Sequence, residues 1–372
     1  MIRIAYTSPF VPVEWIAAHG VRPLRVIPRQ AGGGAAEGVC PFAQAFVSEL
    51  AGGTVPDTCL PSETWGRMAP DGGQANAAIF TTTCDQMRRA PELLSARREM
   101  PVFLLNVPAT WQTPSAAGLY LDELRRLGRF LVCLGGTAPS PAALASVMAA
   151  YEAARHALCE CRPALAARRW EEMLCELCSC LPDRLPAFIE RLKSEAAANV
   201  EAASGRFPAG AAGDRFPGNA AGGHVYIPVA VVGGPLGREG LAVLDAIEAA
   251  GARIVLDGTE AGERSLPGDF DAARSNDDPL AALARAYFDS IGDAFRRPSS
   301  LLGDWLRRRI DERRPRGIVL VRQVWCDLWH AEVAGLREWA GLPLLDLDVS
   351  CAASAAAGAI AARIQAFIEV LR

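Results

Sequence analysis

The sequence predicts an α/β fold made of two parallel-sheet halves, and three observations predict it. Short apolar runs rich in β-branched residues alternate with stretches whose apolar residues return at helical spacing. That alternation marks strand-helix-strand units, whose parallel strands are buried on both faces. A Gly/Pro/Ala-rich segment, ASGRFPAGAAGDRFPGNAAGGH, divides the run of elements and is too permissive in backbone to form a regular element itself. The 372 residues, 51% of them hydrophobic, are enough for about two cores.

Taken in order, residues 24–27 (LRVI) read as the first strand, and PFAQAFVSEL (41–50) as a helix opened by proline. The runs AIFTT (78–82) and VFLLNV (102–107) are strands, each followed by an amphipathic helix, at 85–95 and 116–130. From about 139 to 203 no strand pattern occurs, and charged runs such as ARRWEEML and RLKSEAA read as consecutive helices. Strands then return at 226–232, 253–257, 318–321 and 344–347, with helices at 241–250 and 328–340. The expected division is an N-terminal α/β domain over 1–138, a helical connector and loop over 139–222, and a C-terminal α/β domain over 223–372, with a cleft between the domains.

Composition narrows the function. A net charge of -4 gives no basic footprint for nucleic acid. No apolar stretch reaches the roughly 20 residues of a membrane helix, and the start lacks a signal-peptide pattern, so a soluble, cytoplasmic protein is expected. Lys193 is the only lysine, which excludes a lysine-dependent phosphate loop. Eleven cysteines at irregular spacing do not form a secreted disulfide framework and point to metal or redox chemistry.

Three of those cysteines share a context. Cys84 follows AIFTTT and precedes Asp85 and a helix; Cys326 follows IVLVRQVW and precedes Asp327 and a helix. Ligands of open α/β sheets bind beyond the carboxyl ends of strands, so two Cys-Asp pairs, one per domain, are placed to face one cleft. Cys40, just before Pro41, reads as a helix cap. A helix N-terminus favours the thiolate, the form that binds iron or zinc. Three thiolates leave one position of a cubane open; three buried small residues are the plain alternative.

Other candidates carry weaker signals. Glu14 sits at a helix start, where capping competes with an acid-base role. His330 lies one turn after Cys326 and is either a proton carrier for the cleft or a surface or packed histidine. In VVGGPLGREG, the amides of Gly233 and Gly234 either cradle a phosphate of coenzyme A or a nucleotide, or form a tight turn. Cys175 and Cys178 share a helical face and are read as packing residues or a second metal site. Cys351 follows the last strand and is a candidate additional ligand or near neighbour of the first site.

These motifs resemble those of the 2-hydroxyacyl-CoA dehydratase / benzoyl-CoA reductase family, in its cluster-carrying D-component-like subunits. The resemblance rests on YTSPFVPVEW with Pro12 and Glu14, on GVCPFAQAF, TTTCDQMRR and VWCDLWHAE, and on the later block VAVVGGPLGREGLAVLDAIEAAGARIVLDGTEAGER. It spans nearly the whole chain. It implies two Rossmann-like domains with parallel sheets and a 4Fe-4S cluster in the cleft, bound by Cys40, Cys84 and Cys326. It further implies radical dehydration or reduction of an acyl-CoA thioester through a ketyl, after one-electron activation by a separate ATP-dependent iron-sulfur activator protein. A homodimer or a heterodimer with a related subunit is expected. The alternatives are a reductase of small molecules carrying an 8Fe-9S double cubane, and a non-catalytic electron-transfer or cluster subunit.

Overall fold

The computed structural model describes residues 1–29, 38–52, 74–204, 226–349 and 357–372. Two four-stranded, all-parallel sheets organise them. Strands β1 (Arg3–Tyr6), β2 (Arg22–Arg25), β3 (Ala77–Thr81) and β4 (Val102–Leu105) lie in the order β2-β1-β3-β4. Strands β5 (Ile227–Gly233), β6 (Ala252–Gly258), β7 (Gly317–Arg322) and β8 (Leu344–Asp348) repeat it as β6-β5-β7-β8. In each sheet the second strand lies on one side of the first and the third on the other. A topological switch point therefore falls between β1 and β3, and again between β5 and β7.

Side-chain alternation explains why both sheets are buried. In the first sheet Ile4, Tyr6 and Ile79 face one core, while Ala5, Ala78 and Phe80 face another. The first core is completed by α4 (Pro114–Cys133), which contributes Leu124, Leu127 and Leu131. The second is completed by α2 (Pro41–Ala51) and α3 (Asp85–Ser95). In the second sheet Val229, Val231 and Val319 meet α8 (Ala242–Ala249) and α13 (Ala357–Val370). Its other face, with Ala230, Val232 and Leu320, meets α11 (Ser300–Arg313) and α12 (Asp327–Ala340).

Between the sheets stand three connector helices, α5 (Pro141–Cys161), α6 (Ala167–Leu177) and α7 (Leu185–Ser204), packed about Tyr151, Trp170 and Phe188. The remaining helices are α1 (Val13–Ala18), α9 (Ala272–Asp277) and α10 (Pro279–Phe288). Helix α10 lies in the second half of the sequence, yet Leu283, Tyr287 and Phe288 pack into the first sheet's core. The packing of the halves thus crosses the division drawn along the chain. No helix among the described residues is long and apolar enough to cross a membrane.

Candidate functional site

The carboxyl ends of five strands converge on one cavity of about 400 Å³. Thr7 and Ser8 follow β1, Thr82 to Cys84 follow β3, Pro235 follows β5, Glu260 follows β6, and Gln323, Trp325 and Cys326 follow β7; all line it. The cavity lies at both switch points, where the chain leaves adjacent parallel strands in opposite directions and opens a crevice. Cys40, Cys84 and Cys326 all border it.

Each cysteine is delivered by a helix start. Cys40 is the N-cap of α2, with Pro41 in the first turn, and its backbone N–H donates to Gln86 Oε1 at 2.6 Å. That bond ties α2 to α3, where Cys84 is the N-cap and its Sγ accepts the Met87 N–H at 3.4 Å. Cys326 is the N-cap of α12 and follows a turn closed by its N–H to Gln323 O at 3.1 Å. Burial raises all three thiols, to about 12 for Cys84 and Cys326, while first-turn amides of their helices pull them back down. Cys40 further raises both Cys84 and Cys326, and Cys326 raises Cys84. The helix ends therefore reduce the cost of a thiolate here without overcoming burial, and a bound cation is what deprotonates such thiols outright.

The donor set fits an iron-sulfur group. Three soft sulfurs from three helix starts border one cavity, and soft thiolates are the ligands such clusters take. Among the described residues no three His, Cys, Asp or Glu side chains converge closely enough to hold a single metal ion. Sulfurs spread around a cavity suit a polynuclear group, whose separate corners each take one thiolate.

Sequence reasoning missed the acidic floor of the cavity. Glu260 borders it, and burial followed by the nearby Asp293 lifts its carboxyl to about 7, against the pull of Arg264 and Arg25. Asp293 also lines the cavity and is held by Arg264, a fully buried arginine that donates to the Gly258, Gly292 and Gly233 carbonyls at 3.0 Å each. The Arg264 guanidinium lies 5.1 Å from the ring centroid of Trp329, another lining residue. One signal was legible: Glu260 stands two residues beyond β6, at a carboxyl strand end, in the block VLDGTEAGER.

Four predicted residues lie outside the cavity lining. Glu14 is fully buried in α1, paired with Arg155 of α5 and accepting the Tyr287 hydroxyl at 2.7 Å. It locks three elements together rather than facing the cleft. His330 is exposed on α12, beyond the lining. Gly233 serves close packing: a β-carbon there would stand 1.9 Å from Val321 O. The Gly234 N–H is committed to Val321 O at 3.2 Å, and its missing side chain makes room for Trp329. Neither glycine meets the cavity as a phosphate cradle.

Of the connector cysteines, Cys175 is buried in the second sheet's core and its Sγ lies 3.1 Å from Arg25 O. Cys178 is free and lies 3.6 Å from Arg25 Nη1. Cys351 lies outside the described residues. A model of the family described as 2-hydroxyglutaryl-CoA dehydratase, D-component, matches residues 9–371. No curated protein matches the chain.

Proposed function

Because the chain belongs to the 2-hydroxyglutaryl-CoA dehydratase D-component family, we propose that it is the cluster-carrying component of a 2-hydroxyacyl-CoA dehydratase-type lyase. Cys40, Cys84 and Cys326 are the proposed ligands of a 4Fe-4S cluster. One observation carries the reading: these three thiols, two of them from opposite sheets, border one cavity at both switch points.

Dehydration of a 2-hydroxyacyl thioester must remove a β-proton that no carbonyl activates, which ordinary acid-base catalysis does not achieve. When bound, the cluster supplies one electron at low potential and an iron with an open position that polarises the thioester carbonyl. The chain's own residues do the rest. Glu260, holding a proton near neutrality, is placed to hand it to the departing hydroxyl oxygen or to receive the β-proton. The hydroxyls of Thr81 and Thr83 and the Gln323 side chain orient polar groups of the acyl end. Phe10, Phe42 and Phe295 exclude water from the same cavity. Arg297, exposed in the lining, stands ready for the coenzyme's phosphates.

The electron comes from outside. With one lysine and no phosphate loop, the chain relies on an ATP-dependent activator, working as a homodimer or beside a related subunit. Anaerobic protein with dithionite and 2-hydroxyacyl-CoA thioesters stays nearly inactive, and adding an activator with ATP starts dehydration. Sustained turnover without activator or ATP would overturn the electron-injection reading; acetylene or azide reduction in place of dehydration would overturn the substrate class.

A further inference from the structure

The turn that carries Cys326 to the cavity has a costly backbone. Gln323 O accepts the Cys326 N–H, which makes Trp325 the third residue of a four-residue turn, and its φ is 63°. Positive φ at that position is the type II pattern, which takes glycine or asparagine because a β-carbon crowds the chain. A bulky residue there is an outlier. The other described non-glycine residue with positive φ, Arg314, ends helix α11, where a left-handed residue is an ordinary terminator. Trp325 ends no helix.

Its side chain is equally out of place by burial alone. Trp325 is 50% exposed and yet borders the cavity that Cys40, Cys84 and Cys326 share. Trp329, one helical turn on, is buried against Arg264 and packs as a core residue. Strain held at a site margin points to function when a less strained residue would serve the fold as well. Glycine would hold this turn with less backbone strain.

We propose that Trp325 is the cover of the cavity: the turn before α12 holds its indole at the mouth, which it closes against water and small reagents. The consequence for a bound cluster rests on the proposed function, whereas the cover itself is a property of the metal-free chain.

The test uses Trp325→Gly and Trp325→Phe in reduced, metal-free full-length protein, following alkylation of Cys84 by N-ethylmaleimide with mass spectrometry. Cys84 belongs to the opposite sheet, so it reports on access rather than on the turn. Trp325→Gly is expected to label Cys84 about 10-fold faster, with a melting temperature equal to or above that of the parent, and Trp325→Phe to stay within about 2-fold. Wild-type labelling of Cys84 in Trp325→Gly would overturn the proposal. So would faster labelling accompanied by a lower melting temperature, which marks a merely structural tryptophan. After iron loading, Trp325→Gly is expected to lose iron to a chelator faster than the parent. A parent that takes up no iron would overturn the cluster reading, while the labelling comparison still decides the cover.

Discussion

Two carboxylates, Glu14 and Glu260, separate what the sequence shows from what only packing decides. Glu14 and Glu260 both follow apolar stretches, but Glu14 meets Arg155 and Tyr287, 141 and 273 residues away. No local pattern announces partners at that distance. Removing one member of a buried ion pair strands the other charge, so Glu14→Ala is expected to cost roughly 3–5 kcal/mol in a denaturant titration. Its folded fraction should still take up iron, because Glu14 lies outside the cavity. Glu260→Gln is expected to do the opposite, keeping iron and stability while lowering turnover about 100-fold or more, the scale of a lost proton carrier. An unchanged rate in Glu260→Gln would remove that residue from the proposed chemistry. The cysteines were legible because strand, Cys-Asp and helix follow one another locally at 84 and 326.

At the scale of elements, the seven expected strands fall within two residues of those observed. Their β-branched runs are long enough to carry a signal, since a strand buried on both faces is apolar throughout. Strand β1 escaped because RIAY is only four residues long and opens with arginine. The helices α10 and α11 escaped too, although α10 joins the first sheet's core. Two glycines give opposite expectations. Gly233 has φ +155° and sits where β5 nearly touches β7, so Gly233→Ala should destabilise by more than about 4 kcal/mol or prevent folding. Gly335 lies inside α12 with nothing within 4 Å of an added β-carbon, so Gly335→Ala should stabilise by about 0.5–1 kcal/mol. Thermal melts of the two variants check both signs.

Across the whole molecule, buried polar ties hold the connector and the two sheets around the cavity. Arg25 of β2 donates to Glu260 O at 3.0 Å and to Ser265 Oγ at 3.4 Å, joining the first sheet to the second. The Thr259 hydroxyl lies 2.8 Å from Asp257 Oδ1 of β6 and 3.1 Å from Glu171 Oε1 of α6, bringing the two buried carboxyls together. Burial first, then Asp257, raises the Glu171 carboxyl well above its ordinary value. The folded chain thus keeps a proton that the unfolded chain has lost, and stability falls as pH rises above the ordinary carboxylate range toward the raised value. Glu171→Gln removes that titration; relative to the variant, the parent should lose about 1.4 kcal/mol per pH unit across that window. Parallel stability curves would contradict the raised Glu171 carboxyl. The most direct test of the central claim is iron and sulfide analysis of anaerobically reconstituted protein, parent against Cys40→Ala, Cys84→Ala and Cys326→Ala. The account predicts about four irons with matching sulfide per parent chain and a marked loss in each variant that keeps its fold. A full complement in all three variants, or none in the parent, would contradict it.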